Sequence, residues 1–235
     1  HRWRLRNVPR MFEEPTMPAA YTVVQRLLVS TIPDWPTVSR WYWNLSRPRL
    51  EAVTPEMRDK VRELSARAPD AEARLRAIFF FVAQNIQYLG ITTETVAPGY
   101  EPRDVGATYE KRSGVCRDKA ALLVAMLRLA GFEAFPVLIS VGPLMDTEVP
   151  LPYFNHAIVA VRRPDGEFEL MDPTDETTKE LFPPHLNHRS YLVATPEGEP
   201  LRVSPVIPAE KNLVEIETAA RLAADGAVRG VSTLR

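Results

Sequence analysis

The sequence predicts a protein that combines helices with antiparallel strands, the helices coming first along the chain. Three observations support this prediction: helix-start signals recur between residues 34 and 70, a long apolar helix follows Cys116, and a β-hairpin pattern occupies residues 156–174. Hydrophobic residues make up 45% of the 235 positions and charged residues 25%, as in ordinary globular proteins. A chain of this length buries roughly 70% of its unfolded surface, so it needs no disulfide or structural metal.

The charge and hydropathy of the chain argue against two kinds of partner. Lys and Arg together number 29 and Asp and Glu 30, which leaves no basic excess for binding nucleic acid. The longest apolar run, residues 77–83, is far shorter than the roughly 20 residues of a transmembrane helix. No signal peptide opens the chain, which begins at His1, and we expect it to be a piece of a longer protein.

The first thirty residues show strand-like patterns without a nearby partner. Residues 1–6 alternate basic side chains with Trp3 and Leu5, the period of two that is typical of a strand. Prolines punctuate the linker that follows. Residues 23–31 then predict an extended stretch, either a strand or an arm that lies on the core.

Three helices are predicted between residues 34 and 87. Asp34, Thr54 and Asp70 each precede a helical apolar pattern and belong to the residue types that cap helix N-termini. Residues 88–112 contain prolines and glycines and lack a sustained period. We therefore expect a long loop there, of the kind that shapes a functional site.

Cys116, the single cysteine of the chain, begins the next predicted helix, which Gly131 ends. Leu123, Met126 and Leu127 fall on one face, so this helix should be buried. A thiol at a helix N-terminus lies near unpaired N–H groups and the positive end of the helix dipole, and both lower its pKa toward the reactive thiolate. The alternative is a small buried hydrophobe, which is the more common role of a lone cysteine.

A hairpin downstream brings a histidine and an aspartate together. Strand patterns follow the Cys116 helix at residues 134–141, 156–163 and 167–174. A three-residue loop closed between Arg163 and Glu167 makes His156 and Asp172 diagonal neighbours on one face. A shift of register by two residues would place them directly opposite each other, and a shift by one would separate them.

Cys116, His156 and Asp172 are the three residue types that thiol acyl transfer requires. The thiolate attacks a carbonyl, the imidazole moves the protons, and the carboxylate orients the imidazole. Asp175 is a rival acid, but its odd offset from Asp172 puts it on the other face, where we expect it to cap the loop. Taken singly, the histidine and the aspartate would be a neutral strand residue and a turn residue before Pro173. A metal site built from the same three side chains is a weaker alternative.

The last part of the chain predicts further strands at residues 191–195, 213–223 and 227–234. His185 and His188 could share a helix face as metal ligands, but no cysteine or carboxylate pair lies near them in the sequence. We expect these two histidines to be surface or loop residues, and we expect neither a metal nor another cofactor.

The segment SGVCRDKAALLVAMLRLAGFEAFPVLIS, with YFNHAIVAV and the later ELMDPT, resembles the core of the transglutaminase-like superfamily, particularly its bacterial members with an extra N-terminal β-domain. The resemblance covers roughly residues 30–200. It implies a papain-like α+β fold in which the cysteine-led helix packs on an antiparallel sheet. In such a fold Cys116 would be the nucleophile, His156 the general base and acid, and Asp172 the orienting acid.

The resemblance also implies a domain organisation and a location. Residues 1–29 would be a linker and strand from a preceding β-domain, residues 30–205 the transglutaminase-like core, and residues 206–235 a β-hairpin that starts a following β-domain. Relatives of this architecture are often exported or attached to the cell envelope, which would make the protein periplasmic or envelope-bound. Neither the residues nor the resemblance fixes the oligomeric state.

The chain departs from its relatives beside the cysteine. Bacterial relatives usually carry Asp where this chain has Val115, and animal transglutaminases have an aromatic residue where it has Arg117. Asp118 and Lys119 follow the bacterial pattern. We expect Asp118 to complement the helix dipole and to hold the upstream loop.

The oxyanion hole would combine the Cys116 backbone N–H with one further donor. The candidates for that donor, or for substrate binding, are Tyr100, Tyr109, Asn85 and Gln84. The sequence does not choose among them.

The expected function is thiol acyl transfer through a thioester, on a peptide or protein substrate or a related amide. The enzyme would be a cysteine protease or amidase if water accepts the acyl group, and a transglutaminase-like transferase if an amine does. The alternative is a catalytically weak or inactive member of the fold that acts as a binding or scaffold module, which the departure at Val115 favours.

Overall fold

The structure is a computed structural model that describes residues 2–4, 6–12, 14–18, 20–91, 99–208, 210 and 213–234. Its described residues form two compact units, one up to Ser204 and one from Pro205 onward. The first unit has helices together with an antiparallel sheet, which confirms the α+β prediction.

Four of the described helices of the first unit pack against one central helix. In chain order the helices are α1 (Ala20–Val23), α2 (Trp35–Leu50), α3 (Pro55–Ala66), α4 (Ala71–Asn85), α5 (Val105–Lys111) and α6 (Cys116–Leu129), with a short 3₁₀ turn at Pro184–Leu186. The central helix α6 packs against α2, α3, α4 and α5. Every residue of α6 from Asp118 to Leu127 is buried, which confirms the prediction of a buried helix after the cysteine.

The main sheet of the first unit is antiparallel, and its strands follow α6 in the chain. The strands of the whole unit are β1 (Gln87–Tyr88), β2 (Ser113–Gly114), β3 (Ala134–Ile139), β4 (His156–Arg162), β5 (Phe168–Met171), β6 (Ser190–Val193) and β7 (Arg202–Val203). Strands β3 to β7 form one sheet in the order β5-β4-β3-β6-β7, and α6 packs on β3 and β4. The short strands β1 and β2 form a separate parallel pair directly before α6.

The predicted helix starts are confirmed by side-chain caps. Each capping oxygen accepts the N–H of the residue three positions later, as expected for a helix N-cap. The capping bonds are Asp34 to Thr37 (2.7 Å), Thr54 to Met57 (3.3 Å) and Asp70 to Ala73 (2.7 Å).

The prediction of a long loop over residues 88–112 is wrong, because the described part of that stretch contains α5. Seven residues are too few to show a helical period, and Gly106 inside α5 resembles a loop signal in the sequence. The glycine serves close packing, since a Cβ there would lie 2.9 Å from the Ala52 carbonyl oxygen, which its own N–H contacts at 3.1 Å.

The predicted N-terminal strand is also wrong for the residues that the structure describes. The described residues among 1–6 have no strand conformation, because they find no neighbouring strand to pair with. Residues 24–31 likewise lack strand structure, and Val23 ends α1. The assignment of residues 1–29 to another domain stays a prediction.

The second unit contains a hairpin of β8 (Ile216–Leu222) and β9 (Val228–Leu234), which lie within the predicted strand segments. Every residue of both strands is exposed. In the described part of the chain, no helix has both the length and the apolar character to cross a membrane.

Candidate active site

The register of the β4–β5 hairpin determines how its histidine and aspartate meet. Val159 pairs with Met171, and the Arg163 N–H donates to the Glu167 carbonyl oxygen at 2.8 Å. This is the predicted register. It leaves His156 at the start of β4, with Asp172 just past the end of β5.

His156 and Asp172 form a hydrogen bond at this open end of the hairpin. The His156 Nε2 and the Asp172 Oδ2 are 2.9 Å apart, and Asp172 is only 3% exposed. The other carboxylate oxygen accepts the Thr174 N–H at 3.0 Å and the Thr174 hydroxyl at 2.7 Å. Burial alone would raise the pKa of Asp172, but the hydrogen bonds and the imidazole charge outweigh it and hold this pKa below its usual value.

Cys116 lies half-buried at the first position of α6 and lines a cavity together with His156. Its sulfur hydrogen-bonds to the His156 side chain and to the backbone N–H groups of Ala157 and Arg117. Burial opposes the thiolate, yet these hydrogen bonds and the imidazolium charge lower the pKa of the thiol below its ordinary value.

The pKa of His156 shifts in the direction opposite to that of Cys116. Burial would lower the pKa of its imidazole, but the hydrogen bonds to Asp172 and Cys116 raise it to about 9. A raised imidazole pKa beside a lowered thiol pKa favours the ion pair of imidazolium and thiolate near neutral pH. The two shifts act in the same sense, toward a thiolate beside an imidazolium.

Asp118 fixes the start of α6, as expected from the sequence. One carboxylate oxygen accepts the Val115 N–H at 3.2 Å, and the other accepts the Arg103 N–H from the upstream segment at 2.9 Å. Close approach is possible because residue 114 is glycine, since a Cβ there would lie 2.7 Å from the Asp118 Cβ. Valine at position 115 therefore leaves the helix capped, with Asp118 supplying the acceptor.

Lys119, the next residue, is fully buried and was not singled out by sequence reasoning for any contact. Its ammonium donates to the carbonyl oxygens of Ala83 and Ile86, at the C-terminal end of α4, where a positive charge complements the helix dipole. Burial lowers the pKa of Lys119 to about 8. The contact fixes α4 and the adjoining β1 against the helix that carries Cys116.

A cavity of about 270 Å³ opens beside Cys116 and His156. Of the four oxyanion or substrate-binding candidates, Tyr100 lies in its wall, and the Tyr100 hydroxyl contacts the carbonyl oxygens of Pro152 at 2.7 Å and Phe154 at 2.9 Å. This hydroxyl therefore holds the segment that leads into His156.

The other three candidates lie elsewhere. Tyr109 is buried in α5 and lines a different cavity, with Ala52 and Glu110. The Asn85 amide donates to the Phe81 carbonyl oxygen within α4, and Gln84 is exposed on that helix. The structure thus does not bring Tyr109, Asn85 or Gln84 to the cavity of Cys116.

Two tyrosines at the site were missed by sequence reasoning. Tyr42 on α2 is 2% exposed and lines the cavity of Cys116. Tyr88 on β1 lies close enough to Cys116 and Asp172 for burial, together with their negative charges, to raise the pKa of its phenol. Both reach the site from distant segments, and in the sequence Tyr42 shows only as part of an apolar helix face.

Two of the remaining predictions concern loop side chains. Asp175 is exposed, and one of its oxygens accepts the Thr177 N–H and hydroxyl at 2.8 Å each, which confirms that it caps its loop. His185 and His188 are exposed as expected. Within the described ranges, no group of His, Cys, Asp and Glu side chains is arranged to hold a metal ion.

The transglutaminase-like superfamily matches residues 58–173 of this chain. The crystal structure of a candidate protease from Parabacteroides distasonis ATCC 8503 aligns with 85% of this chain and 37% of its own, with a TM-score of 0.57 and 20% identity. A candidate cysteine protease from Cytophaga hutchinsonii aligns over 51% of this chain and 37% of its own, with a TM-score of 0.39 and 20% identity.

The periplasmic domain of TgpA from Pseudomonas aeruginosa, bound to ethylmercury, aligns over 51% of this chain and 43% of its own, with a TM-score of 0.36 and 22% identity. No curated protein matches this chain. The chain spans little more than a third of the length of the Parabacteroides structure. At 20% identity, the alignment with that structure shows a shared fold. The match over residues 58–173 includes Cys116, His156 and Asp172, and over this segment, about half of its length, the chain matches the transglutaminase-like superfamily.

Proposed function

We propose that this chain is a thiol acyl-transfer enzyme in which Cys116 is the nucleophile, His156 the proton carrier and Asp172 the orienting acid. One observation carries the proposal. The His156 ring contacts the Cys116 sulfur and the buried Asp172 carboxylate at the same time, with 2.9 Å between the imidazole and the carboxylate. A nucleophile, a base and an orienting group in this order make up the triad of acyl-transfer enzymes.

The first half of the reaction forms a thioester. The Cys116 thiolate attacks the carbonyl carbon of a peptide bond or side-chain amide, and a tetrahedral intermediate forms. When the carbon–nitrogen bond breaks, the His156 imidazolium gives its proton to the leaving amine. Asp172 stabilises the imidazolium before this proton transfer and fixes the orientation of the His156 ring. The Asp172 carboxylate can do so because Thr174 holds it in place with two hydrogen bonds.

The second half releases the acyl group. Water or an amine attacks the thioester carbon, neutral His156 takes the proton of the attacking group, and the carbon–sulfur bond breaks to regenerate the thiolate. Hydrolysis would make the enzyme a cysteine protease or amidase, and transfer to an amine would make it a transglutaminase-like transferase. The triad serves both outcomes, because the acceptor is chosen by the access of water and amine to the cavity.

Charge on the tetrahedral oxygen requires hydrogen-bond donors. The backbone N–H of Cys116 is the proposed first donor. Tyr100 is the candidate in the cavity wall, but its hydroxyl contacts two carbonyl oxygens and would have to turn from them to donate. We therefore assign Tyr100 to holding the Pro152–Phe154 segment, which leads directly into His156.

Alkylation of the single thiol tests the proposal directly. The rate of Cys116 modification by iodoacetamide, followed by mass spectrometry across pH, should show a midpoint below the ordinary cysteine value of about 8.5. In His156→Ala the midpoint should rise above that of the wild type, because burial then acts on the thiol without the imidazolium. His185→Ala is the matched control, since His185 is exposed and lies outside the described wall of the cavity.

The alternative is a binding or scaffold module without an activated thiol. A midpoint near 8.5 in the wild type and in both variants would favour that alternative and contradict the proposed enzyme. Circular dichroism of His156→Ala at the same pH values separates loss of activation from loss of folding.

A further inference from the structure

A second cavity, similar in volume and largely apolar, lies beside the cavity of Cys116. Its volume is about 280 Å³, and its lining residues are Ile32, Thr37, Val38, Trp41 and Pro152. Small-molecule sites usually measure roughly 300–1,000 Å³, so this cavity is suited to a single side chain more than to a whole ligand. Trp41 is 46% exposed, which is unusual for so large an apolar ring.

Aromatic contacts connect this apolar cavity to the cavity of Cys116. The Trp41 ring packs edge-to-face on Tyr100, with 5.9 Å between the ring centroids, and packs at a tilt on Tyr42 at 6.2 Å. Tyr42 and Tyr100 both line the cavity of Cys116. Trp41, in the wall of the apolar cavity, thus contacts two of the rings that line the cavity of Cys116.

The backbone connects the same two cavities. Pro152 lines the apolar cavity, and its carbonyl oxygen contacts the Tyr100 hydroxyl at 2.7 Å. Two residues further along, the Phe154 carbonyl oxygen contacts the same hydroxyl at 2.9 Å, and Phe154 lines the cavity of Cys116. A substrate chain that follows this segment would cross from one cavity to the other.

The polar group of the apolar cavity is already bonded. The Thr37 hydroxyl donates to the Asp34 carboxylate at 2.6 Å and accepts from Arg40 at 3.0 Å. A polar occupant would lose its bonds to water and would have to compete with these partners, whereas an apolar occupant loses nothing by entering. The lining therefore favours an apolar side chain.

We propose that this apolar cavity binds a bulky aromatic or aliphatic side chain of the acyl-donor substrate, with Trp41 as its specificity-determining residue. The inference rests on the proposed function, because it places the acyl donor at Cys116. It narrows the substrate class to peptides and amides that carry a large apolar group near the attacked carbonyl.

Thiol probes test this inference without a known substrate. Benzyl-, phenethyl- and phenylbutyl-iodoacetamide place an aromatic ring at increasing distances from the carbon that Cys116 alkylates. For each probe, the rate constant with Cys116 is divided by the rate constant of plain iodoacetamide. This ratio is then divided by the same ratio measured with N-acetylcysteine, which corrects for the intrinsic reactivity of the probe. At least one probe should show a preference of roughly tenfold in the wild type, as expected for burying a ring of this size.

Trp41→Ala should abolish the preference, and Trp41→Phe should retain part of it. The matched control is Tyr153→Ala, which removes a 75% exposed ring from a neighbouring cavity of about 350 Å³ and should leave the preference in place. A wild-type ratio near one for all three probes would overturn the inference. A preference that survives Trp41→Ala but is lost in Tyr153→Ala would do so as well, because the ring would then occupy the other cavity.

The two proposals fail separately in these measurements. The pH midpoint with plain iodoacetamide tests the activation of Cys116, and the ratio between probes at one pH tests the apolar cavity. An activated thiol without aromatic preference would contradict only the inference about the apolar cavity. An ordinary thiol midpoint would contradict the proposed enzyme.

Discussion

Two hairpins of this chain are closed by the same turn but have opposite surroundings. In β4–β5 the Arg163 N–H donates to the Glu167 carbonyl oxygen at 2.8 Å, and in β8–β9 the Ala223 N–H donates to the Ala227 carbonyl oxygen at 2.8 Å. Both turns contain an Asp-Gly pair whose glycine has a positive φ, +88° in the first and +84° in the second. The same turn chemistry thus sets the register of both hairpins.

The strands beyond the turns differ in their side chains and in their burial. Strand β4 is buried from Ala157 to Val161, because it has apolar residues on both faces and lies between β3 and β5 with α6 packed on it. Strand β8 contains Glu217, Thr218 and Arg221 among its seven residues, and all of it is exposed. The turn determines which residues face each other, and the strand sequence determines whether that pairing is buried. Only the first hairpin has a histidine and an aspartate at its open end.

The largest difference between the hairpins should appear on truncation of an apolar side chain. Ile158→Ala in β4 removes a side chain that is fully buried, and we expect the free energy of unfolding to fall by about 3 kcal/mol. Ile216→Ala in β8 removes a side chain that is 65% exposed, and the change should stay within about 0.5 kcal/mol.

Urea unfolding followed by tryptophan fluorescence measures the first of these changes, since all four tryptophans precede residue 44. Hydrogen exchange of the β8 and β9 amides measures the second. If both substitutions lowered the free energy of unfolding equally, burial would not be what distinguishes the two hairpins.

A smaller effect is expected from neutralising the acid of the first hairpin. Asp172→Asn removes the charge that raises the pKa of His156, so the imidazolium should be lost at lower pH and alkylation of Cys116 at pH 7 should slow by roughly tenfold. Ser232→Ala is the control in the second hairpin, where the hydroxyl contacts only Thr218 among its described partners, at 2.9 Å. An unchanged alkylation rate in Asp172→Asn would remove Asp172 from the proposed triad.

The same variant should change how stability depends on pH. A histidine whose pKa rises from 6.5 to about 9 on folding adds stability that is complete below pH 6.5 and is lost as the pH rises through about 9. The contribution of His156 to the wild-type free energy of unfolding should therefore fall across this window, whereas Lys119 and Cys116, whose pKa values are lowered, contribute in the opposite sense. In Asp172→Asn this decline should be smaller, and a decline of equal size would show that other groups cause it.

The comparison also shows which features could be predicted from the sequence. The register that joins His156 to Asp172 follows from a turn of three residues, and the helix starts follow from caps such as Asp34 and Asp70. These are local interactions, in which the sequence names both partners within a few positions.

The remaining features depend on contacts between distant segments. Tyr42 reaches the cavity of Cys116 from α2, and the buried ammonium of Lys119 binds the end of α4. Nothing near Tyr42 or Lys119 in the chain marks these partners. The sequence does not predict helix α5, because a glycine inside a short segment is typical of a loop. The reason for this glycine is its close packing against a carbonyl oxygen of another segment, which the sequence alone does not show.

The smallest expected effect concerns the turns themselves. A Cβ at Gly166 or Gly226 would meet no atom within 4 Å, so an alanine at either position is penalised only by its positive φ. Each Gly→Ala change should therefore cost its hairpin about 1 kcal/mol. For Gly166→Ala the loss appears in urea unfolding of the first unit, and for Gly226→Ala in faster exchange of the β9 amides. Equal costs would show that the turn acts independently of burial. A much larger cost at Gly166 would mean that strain in this turn reaches the His156–Asp172 pair, which slower alkylation of Cys116 in the same variant would detect.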